Sequence, residues 1–423
     1  MDSRRSMKVL LAPMGSRGDV QPQLVLGEEL ARRGHGVTLA APPNFRGGAE
    51  RSGFRFVPVG EDIDVLMRAN RHMTEQHPTR ALPGQIRLLR AQLTRQVTDL
   101  LVAPHDHDIV VGAGLGLAGK VVADRLGVPH VFCCYSLSAM HSAAHPPAVL
   151  PLFGLPQLGN RALWSLFTRT FQITLGSRLN ALRSEHGLSP ERAAWKKIHA
   201  TDVILAQDDV MGALPPDVPG RNLHVAALVP RAAALAPLPD LLERFLRGAG
   251  AGSAAAAPVV YVGFGSMPTV DRARIVRVAS ELFEHYGARV ILHSSQGEDA
   301  GVELPPGVFS TGDVEHAALF PRVDLLVHHG GAGTTATALR SGVPQLIVPH
   351  IVDQFFHGRR IAELGAGPAP VPKAQLTSAA VAAALKDRFK YWAKAQSVRG
   401  AVENEGGASR AADHLEATAR LSS

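Results

Sequence analysis

Short apolar runs alternate with amphipathic stretches along almost the whole of this 423-residue chain. VLLAPM (9–14) leads into the helical pattern QLVLGEELARRG, and VTLAAP (37–42) follows. DIVVGAG (108–114), the helix-like LAGKVVADRLG and VPHVFCC (128–134) repeat the theme. DVILAQ (202–207) and HVAALV (224–229) close this half. Runs of this kind, separated by helices, indicate parallel strands covered on both faces. The small-residue stretch RGAGAGSAAAAP (247–258) then breaks the rhythm as a loop or a linker. Beyond it come VVYVGFG (259–265), RVILHSS (289–295), VFSTG (308–312), LLVHHG (325–330) and QLIVPH (345–350).

The pattern predicts two doubly wound α/β domains in series. They span 7–232 and 258–404, with a linker region at 233–257. A final helix at 405–423 has the option of crossing back to the first domain. Ligands of such sheets bind beyond the carboxyl ends of the strands, so two facing domains would set a cleft between two such edges. Residues 136–200 are less regular; their prolines and apolar positions fit either the lining of a binding site or a surface insertion.

Composition narrows the function. Apolar residues make up 46% and aromatic residues 5%, so aliphatic side chains carry the packing. Lys and Arg number 44 against 37 acidic residues, a net charge of +7 with no run of five basic positions. That argues against nucleic acid and is compatible with an anionic small molecule. The two cysteines, Cys133 and Cys134, are neighbours and cannot form a C-x-x-C pair; they favour a reducing, cytoplasmic setting. No apolar stretch reaches the length of a spanning helix. The start MDSRRSMKVLLAPMGSRGD reads as a short tail and a first strand, without the marks of a signal peptide.

Four strand-to-helix junctions carry candidate chemistry. In VHHGGAGTTATALRSG (327–342), small residues let the backbone approach a ligand, and the first helical turn offers free N–H groups. Thr334 and Thr335 add hydroxyls, and His329 at the last strand position adds an imidazole donor. A phosphate or diphosphate suits this set; a purely structural glycine turn explains the composition equally well. Gly263, Gly265 and Ser266 form a second such turn after VVYVG. Asp353 and Gln354 begin a helix after QLIVPH, as a sugar-hydroxyl pair or as an ordinary N-cap. In MGSRGDVQP, Asp19 leaves the turn made by Gly15 and Gly18, as a general base or as a cap.

With these stretches in order, the chain resembles family 1 glycosyltransferases of the GT-B fold. It is most similar to the bacterial branch acting on glycopeptide antibiotics, macrolides, sterols and other lipophilic acceptors. The resemblance rests on GSRGDVQP (15–22), FGSM (264–267), HHGGAGTT (328–335), GVPQLIVP (342–349) and DQ (353–354). It implies inverting transfer of a sugar from a UDP- or TDP-sugar to an acceptor hydroxyl, without metal or cofactor. Asp19 matches the family's base. Gly18, Ser266, His329, Gly331, Gly333 and Thr334 match donor-diphosphate positions, and Val314 lies where main chain meets the nucleobase. Asp353 and Gln354 match the pair that holds the donor sugar. The plant branch keeps an acid after the fourth strand to orient a histidine base; here that stretch is GAGLG. A sugar-nucleotide epimerase of the same fold and a non-catalytic partner protein are the alternatives.

Other patterns carry less. GLGLAG (114–119) has the dinucleotide glycine spacing, but no acid ends the next strand. Asp62-Ile-Asp64 and Asp106-His-Asp108 have the D-x-D form of metal-dependent transferases, and His105 with His107 has an H-x-H form. The second D-x-D precedes a strand, the wrong edge for a ligand, and a lone H-x-H in a loop is ordinarily solvated. His328 is expected to support its strand; His350 departs from the aromatic or amide residue expected before DQ, with contact to the sugar as the lesser of its readings.

Overall fold

The alternation resolves into two all-parallel sheets in the computed structural model, which describes residues 6–70, 78–103, 106–199, 201–230, 236–248, 257–265, 271–294, 304–402 and 406–421. The first sheet holds β1 (Lys8–Met14), β2 (Gly36–Ala41), β3 (Arg55–Pro58), β4 (Ile109–Gly114), β5 (His130–Cys134), β6 (Asp202–Ala206) and β7 (Arg221–Val225). The second holds β8 (Val259–Gly263), β9 (Arg289–His293), β10 (Val308–Thr311), β11 (Leu325–His328) and β12 (Gln345–Ile347). Their orders are β3-β2-β1-β4-β5-β6-β7 and β10-β9-β8-β11-β12.

The chain divides into two compact units. One runs to Gln207, resumes over Gly212–Leu228 and takes in the last helix. The other holds Asp208–Met211 and the chain from Val229 onward. Asp208 is bound there by the fork of Arg340, with both N–O distances at 2.7 Å.

Strand alternation explains the packing of each sheet. Val260 and Val262 pack with Val290, Leu292, Leu325 and Val327 on one face. Val259 and Tyr261 pack with Ile291, Phe320 and Leu326 on the other. Each fully buried side chain of this size stabilises by about 1.5–3 kcal/mol. In the first unit, Val9 and Leu11 share a core with Ala411, Ala412 and Leu415 of the helix Gly407–Arg420. A largely buried arginine fastens the same helix. Arg33 reaches Glu416 at 2.9 Å, Asp413 at 2.6 Å and Glu29 at 2.8 Å.

Three strands depart from the pattern-based reading. β3 has no apolar run to announce it, being a four-residue edge strand with mixed exposure. β7 starts three residues before HVAALV and ends within it. β11 ends at His328, so His329 lies one position past the ladder. Residues 136–200 contain the helices Gln157–Phe171 and Ser177–Glu185 around the buried Trp164.

Both orders reverse at one place. β1 lies between β2 and β4, and β8 lies between β9 and β11. Successive connections leave these strands toward opposite sides, opening a crevice at the carboxyl edge between β1 and β4 and between β8 and β11.

Candidate functional site

Asp19 stands at the crevice of the first sheet. It is the third residue of the helix Arg17–Arg32, which starts directly after β1. Its Oδ2 accepts the Ser16 main-chain N–H at 2.9 Å, the acidic half of a capping box. Capping and site placement therefore coexist in one carboxylate. The opposite wall is Gly114, the last residue of β4 and the register partner of Met14. Gly114 has φ +60°, and a Cβ there would fall 2.5 Å from Asp19 Oδ1 and 2.5 Å from the Met14 carbonyl oxygen. Only glycine fits. The dinucleotide-like GLGLAG run is thus explained: its first glycine makes room for Asp19. Gly18 lies exposed in the same helical turn.

His329 stands at the crevice of the second sheet. Its imidazole lies between the two glycine turns. A Cβ on Gly265 would come within 3.3 Å of its Cε1, and one on Gly331 within 2.5 Å of its Nε2. Burial pushes His329 down to about 3, and the neighbouring His328, His350 and His316 push the same way. The ring is neutral near pH 7, so it acts as a dipolar hydrogen-bonding group and not as a cation. Gly331 is the N-cap of the helix Ala332–Ser341, and Gly331 through Thr334 stay partly exposed in its first turn. That turn supplies outward amides and half of a helix dipole. Thr335 differs from expectation: it is 2% exposed and faces the core, because one further residue turns the helix by about 100°.

His328 does more than fill space. Its Nδ1 accepts the Gly330 N–H at 3.1 Å, and its Nε2 pairs with Gln345 Oε1 at 3.0 Å. The Gly330 carbonyl accepts from His357 Nδ1 at 2.7 Å. Gly330, at φ +86°, is therefore held on both sides by buried imidazoles. The sequence held no sign of His357 in this role.

The loop before Asp353 is strained, with Val352 at φ +49°, an unusual state for a β-branched residue. Asp353 occupies the N-cap position of the helix Gln354–Glu363, yet its side chain makes no cap hydrogen bond. Burial raises its carboxyl above the ordinary range, partly offset by His357. Gln354 is buried, and its Oε1 accepts the His350 and Ile351 amides at 2.8 and 3.1 Å. That oxygen shapes the loop. His350 Nδ1 turns back to the Val348 carbonyl at 2.8 Å.

Val314 packs into a core cluster with Tyr261 and Phe320. Ser266 lies outside the described residues, as does His105. Asp62 caps its own helix, accepting from the Asp64 and Val65 amides. Asp106 pairs with Lys8 Nζ at 2.6 Å, and Asp108 accepts the Lys8 amide at 2.7 Å. His107 is buried against Thr38 Oγ1 at 3.0 Å. The carboxylates of Asp62, Asp106 and Asp108 thus each have a structural partner. Among the described residues, no helix is long and apolar enough to cross a membrane.

Two Rossmann units, one with a carboxylate at its switch point and one with a glycine-cradled imidazole, fit a GT-B glycosyltransferase. Comparison with known proteins agrees. Residues 9–129 match the Glycosyltransferase family 28 N-terminal domain. Residues 277–413 match the Erythromycin biosynthesis protein CIII-like C-terminal domain. Glycosyltransferase GtfC of Amycolatopsis orientalis is 32% identical over 422 residues, covering 98% of both chains. The vancomycin aglycone glucosyltransferase of the same organism is 31% identical over 424 residues, covering 98% of both. A sterol 3-beta-glucosyltransferase of Arabidopsis thaliana is 30% identical over 444 residues, covering 96% of this chain and 67% of that protein. Among solved structures, the glycotransferase of kitacinnamycin superposes with TM-score 0.73 at 21% identity, covering 98% of this chain and 99% of that one. VinC in complex with DTDP gives TM-score 0.66 at 24% identity, covering 98% of this chain and 100% of that one. The chain belongs to this glycosyltransferase family: it is an enzyme of the antibiotic and sterol type that transfers a sugar from a nucleotide sugar.

Proposed function

We propose that the protein is an inverting glycosyltransferase that moves a sugar from a UDP- or TDP-sugar to a hydroxyl of a hydrophobic small molecule. The observation that carries this reading is the Asp19 carboxylate, fixed by the Ser16 amide in the crevice between β1 and β4. In this mechanism Asp19 takes the acceptor proton as the acceptor oxygen forms its bond to the anomeric carbon. The bond from that carbon to the diphosphate oxygen breaks with inversion, and the nucleoside diphosphate leaves with the electron pair. A positioned base of this kind contributes about 10²–10⁴-fold.

The leaving diphosphate is met by the first-turn amides at Gly331, Gly333 and Thr334 and by neutral His329, with Gly18 and Ser266 assigned on motif. Asp353 and Gln354 take the sugar hydroxyls, and the Val314 main chain takes the base. The reading needs no cofactor beyond the nucleotide sugar and no metal, because fixed dipoles answer the developing charge. A hydrophobic acceptor agrees with the exposed apolar side chains Val149, Leu152, Leu155 and Leu158 in the first unit. The sterol and vancomycin-aglycone relatives favour a polycyclic acceptor. A cytoplasmic setting fits the buried thiols Cys133 and Cys134, which are not joined in a disulfide.

The test incubates the protein with UDP-glucose and TDP-glucose against vancomycin aglycone, cholesterol, a macrolide aglycone and a flavonoid. Mass spectrometry detects a hexose adduct, and NMR reads its anomeric configuration. A β-linked product from the α-linked donor is expected. Retained configuration would contradict inversion, and donor epimerisation without transfer would replace the acceptor reading. His329→Ala should weaken binding of free UDP or TDP by calorimetry; an unchanged dissociation constant removes His329 from the site.

A further inference from the structure

The helix that carries Asp19 has a defect in its first turns. Pro22 lies inside it and brings no N–H, so the hydrogen bond that position 22 would make to the Gly18 carbonyl is missing. The residue whose carboxylate needs the most exact placement thus sits in a turn with one rung removed. Something outside the helix has to hold it.

Tyr135, the residue after β5, is placed to do so. Its hydroxyl lies 3.0 Å from the Asp19 main-chain oxygen. The Gln23 Nε2 lies 3.0 Å from the same hydroxyl. The donor inventory fixes the direction of this chain. A carbonyl oxygen only accepts, so the Tyr135 O–H donates to Asp19. The phenolic oxygen then accepts, so Gln23 presents its N–H₂ and not its carbonyl. Gln23 is fully buried, and burial raises the Tyr135 phenol well above its ordinary value, so the donor stays protonated. Cys133 packs beside the pair with its thiol pushed up to about 12 by burial, and it carries no charge into the cluster.

We infer that Tyr135, oriented by Gln23, is a positioning residue that clamps the main chain of residue 19 and so sets the Asp19 carboxylate against Gly114. The side chain of Asp19 is aimed from one side by the Ser16 amide and from the other by the glycine wall. The clamp fixes the third coordinate, the distance of the helical turn from β5. This inference rests on the reading of Asp19 as the base. Tyr135 touches neither donor nor acceptor in this account; it acts through Asp19.

The test uses the full chain, UDP-glucose and TDP-glucose, and vancomycin aglycone, cholesterol and 4-methylumbelliferone as acceptors. Tyr135→Phe keeps the ring and removes only the hydroxyl. The expected result is a loss in kcat of about tenfold or more, since a sub-ångström displacement at a reacting group costs rates of that order. The dissociation constant for UDP and the donor KM stay at their wild-type values. Gln23→Met leaves the hydroxyl but frees its orientation, and it should lower kcat in the same direction by less. If Tyr135→Phe fails to fold by circular dichroism, Gln23→Met carries the test alone. The decisive comparison repeats Tyr135→Phe in an Asp19→Asn background, with the residual rate followed by radiolabelled donor. A residue acting through Asp19 adds no further loss there, because its partner is already gone. Equal losses in both backgrounds mark a general structural role and overturn the inference. Wild-type turnover in Tyr135→Phe and Gln23→Met, with Asp19→Asn inactive, overturns the clamp alone. Wild-type turnover in Asp19→Asn overturns the base assignment and the clamp with it.

Discussion

At the scale of single residues, one carboxylate oxygen of Asp19 is spent on its own helix and the other is walled by a residue from a different strand. Gly114 is the more sensitive of the two partners. Gly114→Ala must place a Cβ at φ +60° against both the Met14 carbonyl and Asp19 Oδ1. The expected outcome is a loss of about 1–3 kcal/mol in stability from the backbone alone. Turnover should fall with it while UDP affinity is kept, read by thermal melts, kinetics and calorimetry side by side. The placement of Asp19 and His329 at strand-to-helix junctions was legible from their motifs. Gly114 was visible only as part of a misleading glycine fingerprint, because its purpose depends on a neighbour distant in sequence. Thr335 read as a ligand hydroxyl beside Thr334, since sequence spacing shows adjacency while helical rotation decides which side chain points out.

Among elements, the turn from β11 into the helix Ala332–Ser341 depends on two buried imidazoles. His357→Ala leaves the Gly330 carbonyl without its 2.7 Å donor. Loss of a buried hydrogen bond costs about 1–3 kcal/mol, and relaxation of the turn should also weaken UDP binding several-fold by calorimetry. Wild-type affinity in His357→Ala would show that the turn holds its form without that donor. The last helix depends on Arg33. Arg33 is nearly buried, and Arg33→Ala would take from Glu29 and Glu416 their shared partner, leaving Glu29 with Arg32 and Glu416 with His35 and Arg420. The loss should stay below the about 3–5 kcal/mol of a buried charge left wholly unpaired, and should be visible as a fall in melting temperature. Among the described residues, ten of the twelve strands announced themselves as apolar runs in close to their true positions. β3 did not, because an edge strand of four half-exposed residues needs no continuous apolar face. β7 was displaced because its first residues are polar and only its last position is buried.

On the scale of the whole molecule, acid stability should be governed by histidines. Burial pushes His130, His199 and His329 down to about 3, and His328 and His350 down to about 4. All five are neutral in the fold, while the unfolded chain protonates them below its ordinary value of 6.5. Their contribution is therefore fully present above pH 6.5 and is lost as pH falls from there, through about 4 for His328 and His350 and about 3 for His130, His199 and His329. Each such group costs up to about 1.4 kcal/mol per pH unit across that window. The melting temperature should drop steeply between pH 6.5 and 5, before the carboxylates titrate; a flat profile there would contradict these burials. The two-sheet architecture was legible because parallel strands buried on both faces leave long apolar runs in the sequence. The return of the last helix to the first core was open in the sequence, since an amphipathic tail carries no mark of which core it covers. The central claim, that a carboxylate in the first sheet's crevice drives sugar transfer, meets its most direct test in Asp19→Asn. That variant keeps the shape of the site and removes the base. Transfer from UDP- or TDP-glucose should fall by about 10²–10⁴-fold, with the UDP dissociation constant unchanged by calorimetry. Wild-type turnover by Asp19→Asn would contradict the account.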